Sequence, residues 1–268
     1  MKTEQNTIHS MEGYLEEFVI TNLWKGRCHL TWQNIHPDVN ILVGINGQGK
    51  TTLLNAIDDY YNEYPANYRI GIYSSVKGNP ISMPVKYIQS FDRPGQTRTK
   101  SKSLLLEELE KLVLKNKEAQ SFFDYRMRAL NYPEQAEIVN KRINFFFKTV
   151  NKFFKDTHKS IVIDKELNSL AFQDNRGLQV SLEMLSAGEK QLLYILLTVF
   201  LMDNNPFILL MDEPELSLHI TWQSILIKEL RKLNPSCQLI ITTHSPSIFA
   251  NGYEDKLIFM EDLIKENK

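Results

Sequence analysis

Eight consecutive residues carry the clearest chemistry in this chain. Residues 44–51 read GINGQGKT, a glycine-spaced loop that ends in Lys50 and Thr51. Glycines let a backbone bend tightly enough for its N–H groups to face an anion, and a helix starting at such a loop adds its positive end. At this spacing Lys50 reaches the outer phosphates of a nucleoside triphosphate and the Thr51 hydroxyl meets Mg²⁺. Gly44, Asn46, Gly47, Gln48, Gly49 and Thr52 complete the cradle. A second constellation closes an apolar run, FILLMDE at residues 207–213, whose last two residues are Asp212 and Glu213. The first carboxylate can hold a hydrated metal ion, and the second can orient an attacking water or take its proton. A strand ending in Asp-Glu is weak by itself, but beside a phosphate loop it becomes half of a hydrolytic site.

Such a loop works only between a strand and a helix. Short β-rich runs at 15–22, 28–32 and 41–44 predict strands, and the spacing of Leu53, Leu54 and Ile57 predicts a helix running on towards Tyr61. Pro65, Gly71, Gly78, Pro80 and Pro84 then punctuate the chain before a strand expected at 85–89. The last third alternates helix and strand at 189–202, 207–211, 222–233 and 239–243, a pattern expected of a buried parallel sheet with helices on both faces. Between these parts, leucines at 105, 109 and 112 and the series Val139, Ile143, Phe146, Val150, Phe153 mark amphipathic helices, with a short one at 122–130. Strand-like runs return at 161–163 and 170–172, with a turn expected at 175–177.

Three further segments bring a resemblance. LSAGEKQ at 185–191 is similar to the signature of ABC ATPases and stands 26 residues before Asp212, counted from Ser186. In that family the signature serine and glycine start a helix and bind the γ-phosphate held by a second protomer, so the resemblance implies that Ser186 and Gly188 act in trans. Ala187 replaces the more usual glycine and Glu189 the glutamine of transporters. His244, 31 residues after Glu213, matches the switch histidine, and Gln89 in YIQSF resembles the Q-loop glutamine that senses Mg²⁺ and the attacking water. EPELSLH at 213–219 and THSP at 243–246 look like the SMC, RecF and OLD-type branch, including PtuA-like ATPases of bacterial anti-phage systems; transporter subunits read closer to EPTSALD. The implied fold is α/β, an ABC-type P-loop NTPase with a mainly parallel sheet, an antiparallel β portion and a short helical insert. Its expected parts are an N-terminal core at 1–90, the insert at 91–160 and a C-terminal core at 161–268.

Composition removes several classes. With 31 basic and 32 acidic side chains the net charge is −1, so any polyanion contact must be a local patch. Cys28 and Cys237 lack metal-ligand spacing. The first ten residues are polar, and the most apolar run, 192–202, is shorter than the ~20 residues of a membrane span. These features predict a cytoplasmic protein with no membrane partner. Residues 91–160 carry six more basic than acidic side chains, with Lys141, Arg142, Lys148, Lys152 and Lys155 on the polar side of one helix. That face suits solvent, a nucleic-acid backbone or a partner, while the aromatic residues Phe145, Phe146, Phe147, Phe153 and Phe154 are expected mainly in the core. Arms of about 20 residues reach only ~30 Å, too short for the tether of SMC proteins. No nuclease domain is expected in the 24 residues after His244.

The expectation is therefore an ATP-binding and ATP-hydrolysing clamp that closes as a homodimer, or a larger assembly, around ATP and Mg²⁺. It would gate a separate effector such as a nuclease or toxin, or a nucleic acid, in anti-phage defence. A repair or recombination ATPase, a transporter nucleotide-binding subunit and a non-hydrolysing scaffold are the alternatives.

Overall fold

The computed structural model describes residues 13–63, 74–90, 103–115 and 120–266. Pro65, Gly71 and residues 91–102 of the expected insert lie outside them. The chain divides into two units, one of residues 1–89, 205–213 and 236–268, the other of residues 90–204 and 214–235.

In the first unit two burial patterns make two kinds of sheet. Strand β2 (Cys28–Trp32) alternates, burying Cys28, Leu30 and Trp32, and β1 (Phe18–Asn22) buries Phe18 and Ile20 in the same way. A strand with one buried face belongs in an antiparallel sheet. These two pair antiparallel, β4 (Ser75–Gly78) adds to β1, and β12 (Ile264–Glu266) adds to β2. By contrast β9 (Phe207–Asp212) and β10 (Cys237–Thr242) are buried at every residue. They lie inside a five-stranded parallel sheet of order β11-β3-β10-β9-β5, with β3 at Val39–Val43, β5 at Val85–Ile88 and β11 at Leu257–Phe259.

Helix α2 (Lys50–Tyr61) places Leu53, Leu54 and Ile57 in a cluster with Phe18, Leu30 and Trp32 of the antiparallel sheet and with Ile208, Leu210 and Ile240 of the parallel one. The core thus fills the space between both sheets, and α2 is fixed in it just past the glycine loop. The segment before β1 is not strand, although 15–17 was expected to be. Instead, the buried Gln238 side chain accepts the Leu15 N–H at 3.0 Å and donates to the Leu15 carbonyl at 2.9 Å. This exchange satisfies a buried amide and the backbone together.

The second unit is mostly helical. Helices α3 (Leu104–Val113), α4 (Phe122–Asn131) and α5 (Ala136–Phe154) match the expected amphipathic segments. They are followed by α6 (Ala187–Leu201) and α7 (Ile220–Leu233). On α5 Val139, Ile143, Phe146, Val150 and Phe153 are buried. Phe146 meets Phe200 of α6 with ring centroids 4.6 Å apart, and Phe154 stacks on Phe172 at 5.3 Å and Trp222 at 6.0 Å. Most of the phenylalanine run is therefore core, with Phe145 left 40 % exposed. A three-stranded antiparallel sheet of β6 (Lys159–Asp164), β7 (Ser169–Asp174) and β8 (Gln179–Val180) extends the two expected hairpin strands.

Candidate functional site: a phosphate loop and a carboxylate strand end

Strand β3 ends at Val43 and α2 begins at Lys50, so residues 44–49 form the whole loop. Gly47 and Gly49 have φ of 84° and 91°, in the left-handed region that side chains disfavour. Gly49 also has no room for one, because a Cβ there would stand 2.9 Å from the Trp24 ring. The Gln48 side chain braces the loop by accepting the Ile45 N–H at 2.8 Å. Lys50 is buried, and its Nζ donates to the carbonyls of Gly44 at 2.8 Å and Ile45 at 3.2 Å. The ammonium is thus folded back over the mouth of its own loop.

Parallel pairing of β9 with β10 sets Asp212 opposite Thr242. The Thr242 hydroxyl donates to Asp212 Oδ1 at 2.7 Å, and the Thr51 hydroxyl stands 3.0 and 2.9 Å from the two carboxylate oxygens. Asp212 is therefore held by one hydroxyl from each side. Glu213, the next residue, takes a left-handed φ of 50°, a conformation that costs a non-glycine residue roughly 1–2 kcal/mol. Its N–H is secured on Thr242, at 3.1 Å from both the carbonyl and the hydroxyl. Turned out of the strand in this way, its carboxylate lies 3.4 Å from His244 Nε2, with the two side chains 27 % and 39 % exposed. Trp24, Asn46, Gly47, Gly49, Lys50, Thr51, Thr52 and Glu213 line one cavity of about 210 Å³.

Trp24 and Thr242 were not singled out by sequence reasoning. Trp24 sits in α1 (Leu23–Gly26), a single turn with left-handed φ at Trp24 and Lys25, between β1 and β2. Gln89 is exposed and follows β5, whose Ile88 is opposite Met211, so it stands level with Asp212 in the sheet but does not line the cavity.

Ser186 and Gly188 belong to the second unit. Ser186 caps α6, its Oγ accepting the Glu189 N–H at 3.2 Å while Glu189 Oε2 accepts the Ser186 N–H at 2.8 Å, a reciprocal capping box. Gly188 is required by close approach, since a Cβ there would stand 2.2 Å from the Ser217 carbonyl oxygen. In the same unit Lys155 falls just past the end of α5, and three of the four basic side chains on that helix are engaged, Lys141 with Glu137 one turn earlier. Arg142 pairs with Asp203 at 3.0 Å, and Lys152 with the buried Glu229 at 2.7 Å. Burial pushes the Glu229 carboxyl up, but hydrogen bonds from Lys152 and Lys232 outweigh it and hold the group below the usual glutamate range.

Comparison with known proteins agrees with this architecture. The profile of the family described as "AAA domain, putative AbiEii toxin, Type IV TA system" matches residues 102–250, which include Ser186, Asp212, Glu213 and His244. The chain belongs to this family. The "Retron Vc95 probable ATPase" of Vibrio cholerae serotype O1 biovar El Tor is 25 % identical over 222 residues, 77 % of this chain and 37 % of the relative, so the chain spans well under half of that protein. "Septu protein PtuA" of Bacillus thuringiensis is 21 % identical over 295 residues, 84 % of this chain and 70 % of the relative. Among solved structures, the SmcHead bound to the C-winged helix domain of ScpA superposes with a TM-score of 0.56 at 12 % identity, covering 89 % of this chain and 91 % of the other. The fold is that of an ABC- and SMC-head-like ATPase domain, related to proteins of anti-phage defence.

As an AAA-family domain the chain should accommodate a nucleotide and its cation, and the residues fit both. Two left-handed glycines open the loop's amides, and Lys50 supplies a buried cation. Among the described residues no three His, Cys, Asp or Glu side chains form a metal cage. The available donors are a hydroxyl and a carboxylate at Thr51 and Asp212, an all-oxygen set. This suits Mg²⁺, which keeps several waters and takes the rest of its ligands from phosphates. No helix among the described residues is long and apolar enough to cross a membrane.

Proposed function

We propose that the chain is the ATPase of a two-copy clamp, in which each ATP is held by the loop of one copy and closed by the α6 start of another. The observation that carries the reading is the convergence of Thr51 and Asp212, at 2.9 Å, beside the Glu213–His244 pair at 3.4 Å. Lys50 would leave its loop carbonyls for the outer phosphates, and Thr51 with Asp212 would hold the cation. Mg²⁺, when bound, neutralises charge that grows on the phosphate oxygens. Glu213 would accept a proton from water as that water's oxygen attacks the γ-phosphorus, giving ADP and phosphate. His244 steadies Glu213 and offers its ring to the same phosphate. The indole of Trp24, on the cavity wall, would pack against the nucleotide.

Ser186 and Gly188 would complete the site from the second copy, presenting a capped helix start to the γ-phosphate. A separate effector, a nuclease or a toxin, would read the clamp in the cytoplasm of a cell under phage attack. The family's description as a putative toxin of a toxin–antitoxin system supports this assignment, as does the likeness to retron and Septu proteins. Gln89 would join the cation's shell only when ATP closes the site. A nucleic-acid contact through the insert is left to Lys148 and Lys155, since Lys141, Arg142 and Lys152 are held by acidic partners.

The direct test is Glu213→Gln. The variant should bind ATP, lose about 10²-fold or more in turnover and accumulate as an ATP-dependent dimer in size-exclusion chromatography with light scattering. Turnover at the wild-type rate would end the assignment.

A further inference from the structure

The start of α6 carries a charge that its proposed role does not need. Glu189 is the third residue of the helix, its side chain is only 1 % exposed, and its carboxylate accepts the Ser186 N–H at 2.8 Å. A buried anion one hydrogen bond from Ser186 would repel the phosphate that Ser186 is meant to receive, and the repulsion is poorly screened there. Two lysines are near. Lys190 turns away and donates to the carbonyls of Glu183 and Leu185. Lys159, the first residue of β6, does the opposite, placing Nζ 2.8 Å from each Glu189 oxygen with 22 % of its own side chain exposed.

We infer that Lys159 is a positioning residue for phosphate recognition by α6, cancelling the charge of Glu189 and fixing its carboxylate in the plane that holds the Ser186 N–H. Lys159 does not itself touch nucleotide. The inference rests on the reading of Ser186 and Gly188 as a phosphate-contacting pair. Burial pushes the Glu189 carboxyl up, while hydrogen bonds from Lys159, the Ser186 backbone and Thr157 bring it below the usual glutamate range. It therefore stays ionised at neutral pH, and the cation beside it stays necessary. Because Lys159 begins a strand of the β6-β7-β8 sheet, a shift of that hairpin would reach the start of α6 through this ammonium.

The test separates charge from packing. ATP turnover and thermal melting are measured on the full chain for Lys159→Met, Lys159→Arg and the double variant Lys159→Met with Glu189→Gln. Loss of Lys159 should lower kcat by about 10- to 100-fold, the range seen when the partner of a site residue is removed. The double variant should recover most of that loss, because glutamine keeps the capping hydrogen bond without the charge; arginine should also preserve turnover. Where Lys159→Met does not fold, the double variant and Lys159→Arg decide the matter. Wild-type turnover in Lys159→Met, or a folded double variant as slow as the single one, would overturn the inference.

Adding Glu213→Gln to each variant distinguishes its failure from failure of the parent reading. The Glu213→Gln chain should trap an ATP dimer, its combination with Lys159→Met should not, and adding Glu189→Gln should restore trapping. If Glu213→Gln alone neither stalls nor traps, the clamp reading has failed and the role of Lys159 falls with it.

Discussion

Thr242→Val removes a single hydroxyl from the hinge between Asp212 and Glu213. The side chain is fully buried, so valine fills the same space and the change is electrostatic. Lost is the donor to Asp212 Oδ1 at 2.7 Å, a hydrogen bond to a carboxylate, worth about 1.5–3 kcal/mol. The Glu213 N–H loses one of two acceptors but keeps the Thr242 carbonyl at 3.1 Å, so this second loss adds little. A net destabilisation of about 2 kcal/mol lowers the melting temperature of the nucleotide-free protein by about 4–8 °C. Without the Thr242 donor, Asp212 should also drift from the cation position, and ATP turnover should fall about tenfold. Thr242→Ser supplies the contrast. It keeps the hydroxyl and loses a buried methyl, costing about 1 kcal/mol, and should hydrolyse ATP at close to the wild-type rate. Equal turnover in the valine and serine variants, whether both fast or both slow, would refute the claim that this hydroxyl positions Asp212.

Of the three tryptophans, Trp32 and Trp222 are buried while Trp24 lines the loop cavity, so ATP should change the intrinsic fluorescence through Trp24 alone. The change should vanish in Trp24→Phe, and its persistence there would place the nucleotide elsewhere. Glu229 ought to leave a mark on acid stability. Its folded carboxyl lies below the usual range, so its contribution is present above the unfolded value, about 4.3, and is lost as pH falls through the lower folded value. Urea midpoints between pH 7 and pH 3.5 should therefore fall more steeply for the wild type than for Glu229→Gln, and parallel curves would contradict the ion-pair assignment.

What could be read in the sequence was what is local. Loop, helix start and strand end each occupy consecutive residues, so residues 44–51 and 207–213 announced both their conformation and their chemistry. The helix faces of α3 and α5 were equally plain, because 3.6-residue spacing is set within one element. Everything that depended on pairing across the chain was silent. Thr242 reads as one more strand residue until the β9–β10 register brings it to Asp212, 30 positions earlier. Strands β4, β11 and β12 are three or four residues long and exist because β1, β3 and β2 offer them edges. Trp24 lies in a four-residue turn with no pattern of its own. Arg142 and Lys152 looked like parts of a free basic face, yet each meets a carboxylate more than sixty positions away.

The distribution of the site over the two units makes the two-copy claim testable without any structure of a complex. Lys50, Thr51, Asp212, Glu213 and His244 belong to one unit, and Ser186 with Gly188 to the other. Each set is organised by its own hydrogen bonds, through Thr51, Asp212 and Thr242 in the first and through Ser186, Glu189 and Lys159 in the second. Damage to one set should therefore leave the other intact in the same chain. Lys50→Ala disables the loop. Gly188→Ala disables the helix start, because its methyl would stand 2.2 Å from the Ser217 carbonyl oxygen and must displace backbone. Each variant alone should be nearly inactive. In a mixed dimer, one composite site combines both lesions while the other joins an intact loop to an intact helix start. Random pairing of equal amounts makes half of the dimers mixed, and a symmetric pair has two such sites, so the mixture should recover about a quarter of wild-type turnover. Recovery should need both proteins and rise with their concentration. If no ATP is hydrolysed when the two are combined, each chain completes its own site and the clamp reading is wrong.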